Sequence, residues 1–156
     1  MSPIGLNVYH SSGKLEGTVT DRHHEGDAWE VEVKNIERIW VDVPYREVPR
    51  RNMVRELPHW TIMELCRVTL GNDVVGVGET MPFYTWGTVT DESVQRALGK
   101  TATEIMWDDS LGAGLQMALF DAVGKSCEVP LHQLMGQQVR DDAFVSWWSI
   151  DMSPAD

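Results

Sequence analysis

Basic residues are scarce in this chain: 13 Lys+Arg stand against 24 Asp+Glu, a formal net charge of −11 over 156 residues. Nucleic acid and anionic membranes both need a basic face to meet phosphate, which argues against either as a partner. Cysteine is scarcer still. Cys66 and Cys127 lie far apart with no paired spacing, which excludes a disulfide framework and a Cys-based zinc site. No apolar run approaches the roughly 20 residues that span a bilayer. Met1 to Asn7 lacks the charged segment and apolar stretch of a signal peptide. HExxH, P-loop, paired-carboxylate and Ser-His-acid patterns are missing as well. These absences together predict a soluble, reduced, cytoplasmic protein.

What is present suffices for one folded domain. A chain of about 150 residues buries roughly 70% of its unfolded surface, and 24% charged with 42% hydrophobic residues is ordinary globular composition. A complete (β/α)8 barrel takes about 250 residues and does not fit.

Residues 1–28 read as a polar, turn-rich arm, at most a loose hairpin around Leu15 to Val19. From Trp29 the pattern becomes strand. Ile39, Val41 and Val43 alternate with Trp40 and Asp42 until Pro44. Between Trp60 and Leu70, Cys66, Val68 and Leu70 share one face, with Arg67 and Thr69 on the other. Gly71-Asn72-Asp73 then supplies a turn, Gly and Asn tolerating positive φ, and Val74 to Glu79 returns antiparallel. This predicts a three-stranded antiparallel meander.

Helices follow, giving an α+β class. Thr90 is suited to cap a short helix with Asp91 and Glu92 in its first turn, and Gly99 to end it. Thr101 or Thr103 can cap a second, carrying Ile105, Met106 and Trp107. The clearest helix spans about 109–125, with Leu111, Leu115, Ala118, Leu119 and Ala122 as its apolar stripe and Asp121 and Lys125 as an i,i+4 pair. Gly112 and Gly114 weaken it, which implies close packing. Pro130 opens one more short helix, Leu131 to Met135, which Gly136 closes. Phe144 to Ile150 reads as a strand. Ser153-Pro154-Ala155-Asp156 signals a helix start that is never continued, as if a longer chain had been cut.

Four features bear on chemistry. His23-His24 with Asp21, Glu25 and Asp27 matches no recognised ligand spacing and reads as a solvated arm. Gly76-Val77-Gly78-Glu79-Thr80-Met81 lacks the third glycine and following helix of a dinucleotide fingerprint, so its glycines read as strand positions beside a close neighbour. Cys66 reads as a small core residue, whereas Cys127, in a turn beside Lys125, is the more exposed thiol. Pro44 to His59 gathers Arg46, Arg50, Arg51 and Arg55 in an acidic chain. It reads either as a solvated loop or as a flap for an anionic, hydroxylated substrate, since guanidinium forks suit carboxylates. Thr80 to Val89, with Tyr84, Thr85 and Trp86, is a second flap candidate.

Taken in order, these pieces resemble a known family. Val75-Gly76-Val77-Gly78-Glu79 followed by a Pro resembles the G-x-G-E hairpin of the enolase superfamily's N-terminal capping domain. Ala113 to Lys125 is similar to its A-x-x-x-A-L-W-D-x-x-G-K helix, with Phe120 in place of Trp, and Pro130 to Gly136 to its P-x-x-x-L-x-G segment. Arg140-Asp141 then leads toward the first barrel strand. The resemblance covers roughly Lys34 to Asp156 and is nearest the mandelate racemase/muconate lactonizing group, particularly its sugar-acid dehydratases. It leaves the arm (1–28) unaccounted for and implies a cap (29–138) and a barrel stub (139–156).

For a complete protein, the resemblance implies that a Lys or His base abstracts the proton α to a carboxylate while Mg2+ stabilises the enediolate. The base and the acidic metal ligands belong to later barrel strands, so it implies no catalytic and no metal residue in this chain. It implies an acid-sugar substrate, a homo-oligomer when complete, and two cap loops that close over the substrate. In this chain Arg50, Arg51, His59, Tyr84 and Thr85 would make those contacts. The competing readings are a stand-alone α+β binding or subunit-interaction module descended from such a cap, and an independent enzyme using the His/Asp arm.

Overall fold

The computed structural model of the chain describes residues 7–13, 29–146 and 155. Four strands form one antiparallel sheet in the order β1-β2-β3-β4: Asn7–Gly13, Val33–Asp42, Ile62–Leu70 and Val75–Thr80. The expected meander is β2 to β4. The first strand is an addition, lying inside the stretch read as an arm. With Val8 and Tyr9 set among Asn, His, Ser and Gly, that stretch has little strand pattern of its own. The ladder offered by β2 makes it a strand: Asn7 to Gly13 pair in unbroken register with Asp42 to Ile36. The hairpin expected around Leu15 to Val19 and the His23-His24 cluster lie outside the described residues.

β2 also begins earlier than its alternation indicated. Ile36 pairs with Val68, Arg38 with Cys66 and Trp40 with Glu64, so these residues share the helix-facing side, while Ile39 and Val41 share the other. A register irregularity between Val33 and Asn35 lets Val33 and Ile36, three residues apart, both reach the core. The β3–β4 turn is as placed, but its positive φ falls on Asp73 (64°). The Asn72 side chain accepts the Val74 N–H instead, bracing the turn from its centre.

α1 (Glu47–Met53) lies inside the Arg-rich segment that was read as a loop. α2 (Asp91–Ala97) begins at Thr90, whose hydroxyl accepts the Ser93 N–H at 3.1 Å. α3 (Ala102–Ile105) follows Thr101. The long helix is divided: a 3-10 turn (Asp109–Leu111) stops at Gly112, and α4 (Ala113–Ser126) starts afresh. Gly112 is explained by its φ of 91° and not by packing, because an L side chain disfavours that conformation. α5 (Leu131–Met135) ends at Gly136 as expected. α4 covers one face of the sheet, with α3 and α5 packed against it.

α4 rests directly on β4. A Cβ on Gly76 would lie 2.1 Å from the Ala118 carbonyl oxygen, and one on Gly78 the same distance from that of Gly114. Strand glycines therefore make the bed for the helix. Leu115, Ala118, Leu119 and Ala122 fill the core with Cys66, Val68 and Leu70. Phe144 and Val145 belong to no strand and are almost fully exposed, no described strand offering them a ladder. Residues 147–154 and 156, with the rest of that expected strand and most of the expected helix start, lie outside the described residues. Among the described residues no helix is long and apolar enough to cross a membrane.

Candidate functional site

Two loops leave the same end of the sheet, because β2 ends where β3 begins and Glu64 near that end pairs with Thr80 at the end of β4. The first runs between Asp42 and Ile62. Its neck is closed by the Val43 N–H donating to the Thr61 carbonyl at 2.7 Å. Its middle is crossed by the Tyr45 hydroxyl donating to the Leu57 carbonyl at 2.7 Å. Arg50 and Arg51 occupy the last turn of α1, where the helix dipole favours cations, with Arg51 3.7 Å from Glu47.

The second loop follows Thr80. Pro82–Trp86 forms one wide helical turn, and Gly87 (φ 67°) breaks it. Rings from the two loops meet along a seam. The centroids of Trp60 and Tyr84 are 4.6 Å apart, edge to face. His59 and Phe83 lie 5.2 Å apart, and Trp40 at the end of β2 reaches Phe83 at 6.4 Å. Such pairs contribute about 0.5–1.5 kcal/mol beyond their burial. Phe83 and Tyr84 nonetheless stay more than half exposed, as does much of His59, so the seam presents rings to solvent.

Of the expected contact residues, the structure gathers His59 and Tyr84 at the seam. Arg50 and Arg51 sit on exposed α1, and the Thr85 side chain is outside the described set. Trp40, Trp60 and Phe83 were missed because alternation set Trp40 beside Asp42 and no local pattern pairs Trp60 or Phe83 with a ring of the other loop.

Beneath the second loop lies a buried polar group that sequence reading also missed. Glu64 is 1% exposed, and its Oε2 accepts the Val89 N–H at 2.7 Å. Arg38 donates through Nη1 to the Val89 carbonyl at 2.6 Å and through Nη2 to Asp91. Burial pushes the Glu64 carboxyl above its ordinary range, with the Val89 N–H and the Arg38 charge pulling it partly back. The neighbouring Thr80 hydroxyl is buried without a partner among the described residues. The signal was available: Glu64 has the same two-residue phase as Cys66, Val68 and Leu70, an acid on an apolar face. Among the described residues no three His, Cys, Asp or Glu side chains converge as a cation requires.

Asp121, Gly124 and Lys125, from the helix motif, have structural work. Asp121 and Lys125 bond the outer edge of β4. Gly124 lies where a Cβ would come within 3.1 Å of the Val129 carbonyl oxygen.

Comparison with known proteins agrees with the resemblance at a coarse level. The chain is 32% identical over 80 residues to a chloromuconate cycloisomerase of Cupriavidus pinatubonensis, covering 49% of this chain and 22% of that protein. It is 29% identical over 139 residues to muconate cycloisomerase 1-2 of Acinetobacter lwoffii, covering 75% of this chain and 36% of that protein. The chain thus spans about a fifth to a third of the length of these curated relatives. No family model matches it, and no solved structure matches it. Both relatives support a relationship to the muconate lactonizing enzymes of the enolase superfamily.

Proposed function

We propose that this chain is the substrate-lid portion of an enolase-superfamily enzyme whose complete form abstracts a proton α to a carboxylate. The observation that carries the reading is the seam. Two loops from one end of the sheet meet through His59, Trp60, Phe83 and Tyr84 while keeping ring surface exposed. Loops so arranged can close over a small ligand and exclude water. Arg50 and Arg51 on the first loop supply the positive charge for a carboxylate-bearing ligand. The two relatives, cycloisomerases by name, favour an isomerase outcome over sugar-acid dehydration. The chain by itself is proposed to bind and not to turn over.

Saturation-transfer NMR with muconate and with an aldonic acid tests this. The expected result is ligand contact that weakens in Tyr84→Ala and in Arg50→Ala/Arg51→Ala, with no exchange of the aldonic acid's α-hydrogen in D2O. Binding indifferent to all three substitutions, or α-hydrogen exchange by this chain alone, overturns the reading.

A further inference from the structure

Val89 is held from three directions. Its N–H is taken by Glu64 at 2.7 Å and its carbonyl by Arg38 at 2.6 Å. Its side chain is 1% exposed and belongs to the core cluster. A Cβ on Gly112 would meet the Val89 Cα at 3.9 Å, and one on Gly114 would meet its Cγ2 at 3.5 Å, so the start of α4 closes over it. Asp91 then holds the far side of the Arg38 guanidinium. A buried carboxylate is costly without a partner, and β3 has no local need of one at position 64. Here the acid and the guanidinium satisfy both polar groups of one residue in the second loop.

We infer that Arg38 and Glu64 form a clamp on Val89 that anchors the C-terminal stem of the 81–88 loop to the sheet. Thr80 at the end of β4, paired with Glu64, holds the other stem, so both ends of the loop are fixed to the sheet. Arg38 and Glu64 are positioning residues: they touch the loop's base and not its ring-bearing tip. The clamp does not depend on what the loop covers, so it can stand if the lid reading fails.

Amide hydrogen exchange on the whole chain tests the clamp. Arg38→Met should speed exchange at Val89 and across 83–88 by at least about tenfold, the scale of a lost charge-assisted hydrogen bond. Val68 in β3 and Leu119 in α4 should keep their protection. Glu64→Gln, which retains an acceptor oxygen, should produce a smaller change at the same amides. Lys34→Ala, which removes the exposed pair with Asp73, should leave the loop as it was. Loop exchange unchanged in Arg38→Met overturns the clamp. So does acceleration spread evenly through the sheet and α4, which would make the pair a general stabiliser.

Discussion

Asp121 accepts the backbone N–H of Val77 at 2.8 Å and so covers the outer edge of β4. Lys125, one turn further along α4, donates to the Val75 carbonyl at 3.1 Å and to Asp121 at 2.6 Å. Val75 and Val77 are the positions whose polar groups face outward, where a further strand would bond. An i,i+4 ion pair that stabilises a helix by only a few tenths of a kcal/mol thus also closes a sheet edge.

Asp121→Ala should therefore do two things. Loss of a partly exposed charge-assisted bond should lower stability by about 1–2 kcal/mol in urea denaturation. The uncovered edge should also raise self-association, read by sedimentation velocity. A stability loss with no change in association would mean that the pair serves the helix alone.

Two kinds of glycine should respond differently to alanine. Gly76→Ala and Gly78→Ala place a Cβ 2.1 Å from carbonyl oxygens of α4, so the helix must lift, at about 3 kcal/mol or more. Gly87 has nothing within 4 Å and a φ of 67°, so Gly87→Ala should cost only the left-handed backbone penalty of about 1–2 kcal/mol. Denaturant midpoints at constant m-value separate the two cases.

Glu64 sets a pH dependence whose sign can be worked out. Burial raises its folded carboxyl above the ordinary 4.5, so the folded state holds the proton more tightly than the unfolded. Its contribution is most favourable below 4.5 and is lost as pH rises through the raised value. Glu64→Gln removes that term. The melting temperature of the variant minus that of the parent should grow as pH climbs from 4.5, then level off.

The seam should behave as a coupled pair. A double-mutant cycle of Trp60→Ala and Tyr84→Ala should give an interaction energy of about 0.5–1.5 kcal/mol in thermal unfolding. Additive losses would mean that the loops stand independently.

The thiols should also differ. Cys66 is fully buried in the core with its thiol pushed up to about 12 by burial, whereas Cys127 is half-buried. Burial raises the Cys127 thiol as well, so at pH 8 the native chain should react slowly with a disulfide reagent at Cys127, and Cys66 should follow only in denaturant.

Local pattern was enough for much of this architecture. The apolar stripe from Leu115 to Ala122, the Thr90 cap, the close of α5 at Gly136 and the buried phase of Cys66, Val68 and Leu70 all follow from spacing and backbone preference. The family resemblance points to His59 and Tyr84 as contact residues on two loops; that the loops lie side by side is a property of the fold. Tertiary structure decided the rest. β1 is a strand because β2 offers it hydrogen bonds, which no property of Asn7 to Gly13 announces. α1 forms within a segment whose arginines read as loop, and Trp60 meets Tyr84 only because the antiparallel pairing of β2, β3 and β4 brings the loops to one end. Glu64 is tolerable on an apolar face only because Arg38 and the Val89 backbone arrive from elsewhere in the chain. Periodicity is a short-range property and survives in a linear reading. The pairing of distant polar groups, which determines where a buried charge can sit, exists only after the chain has folded.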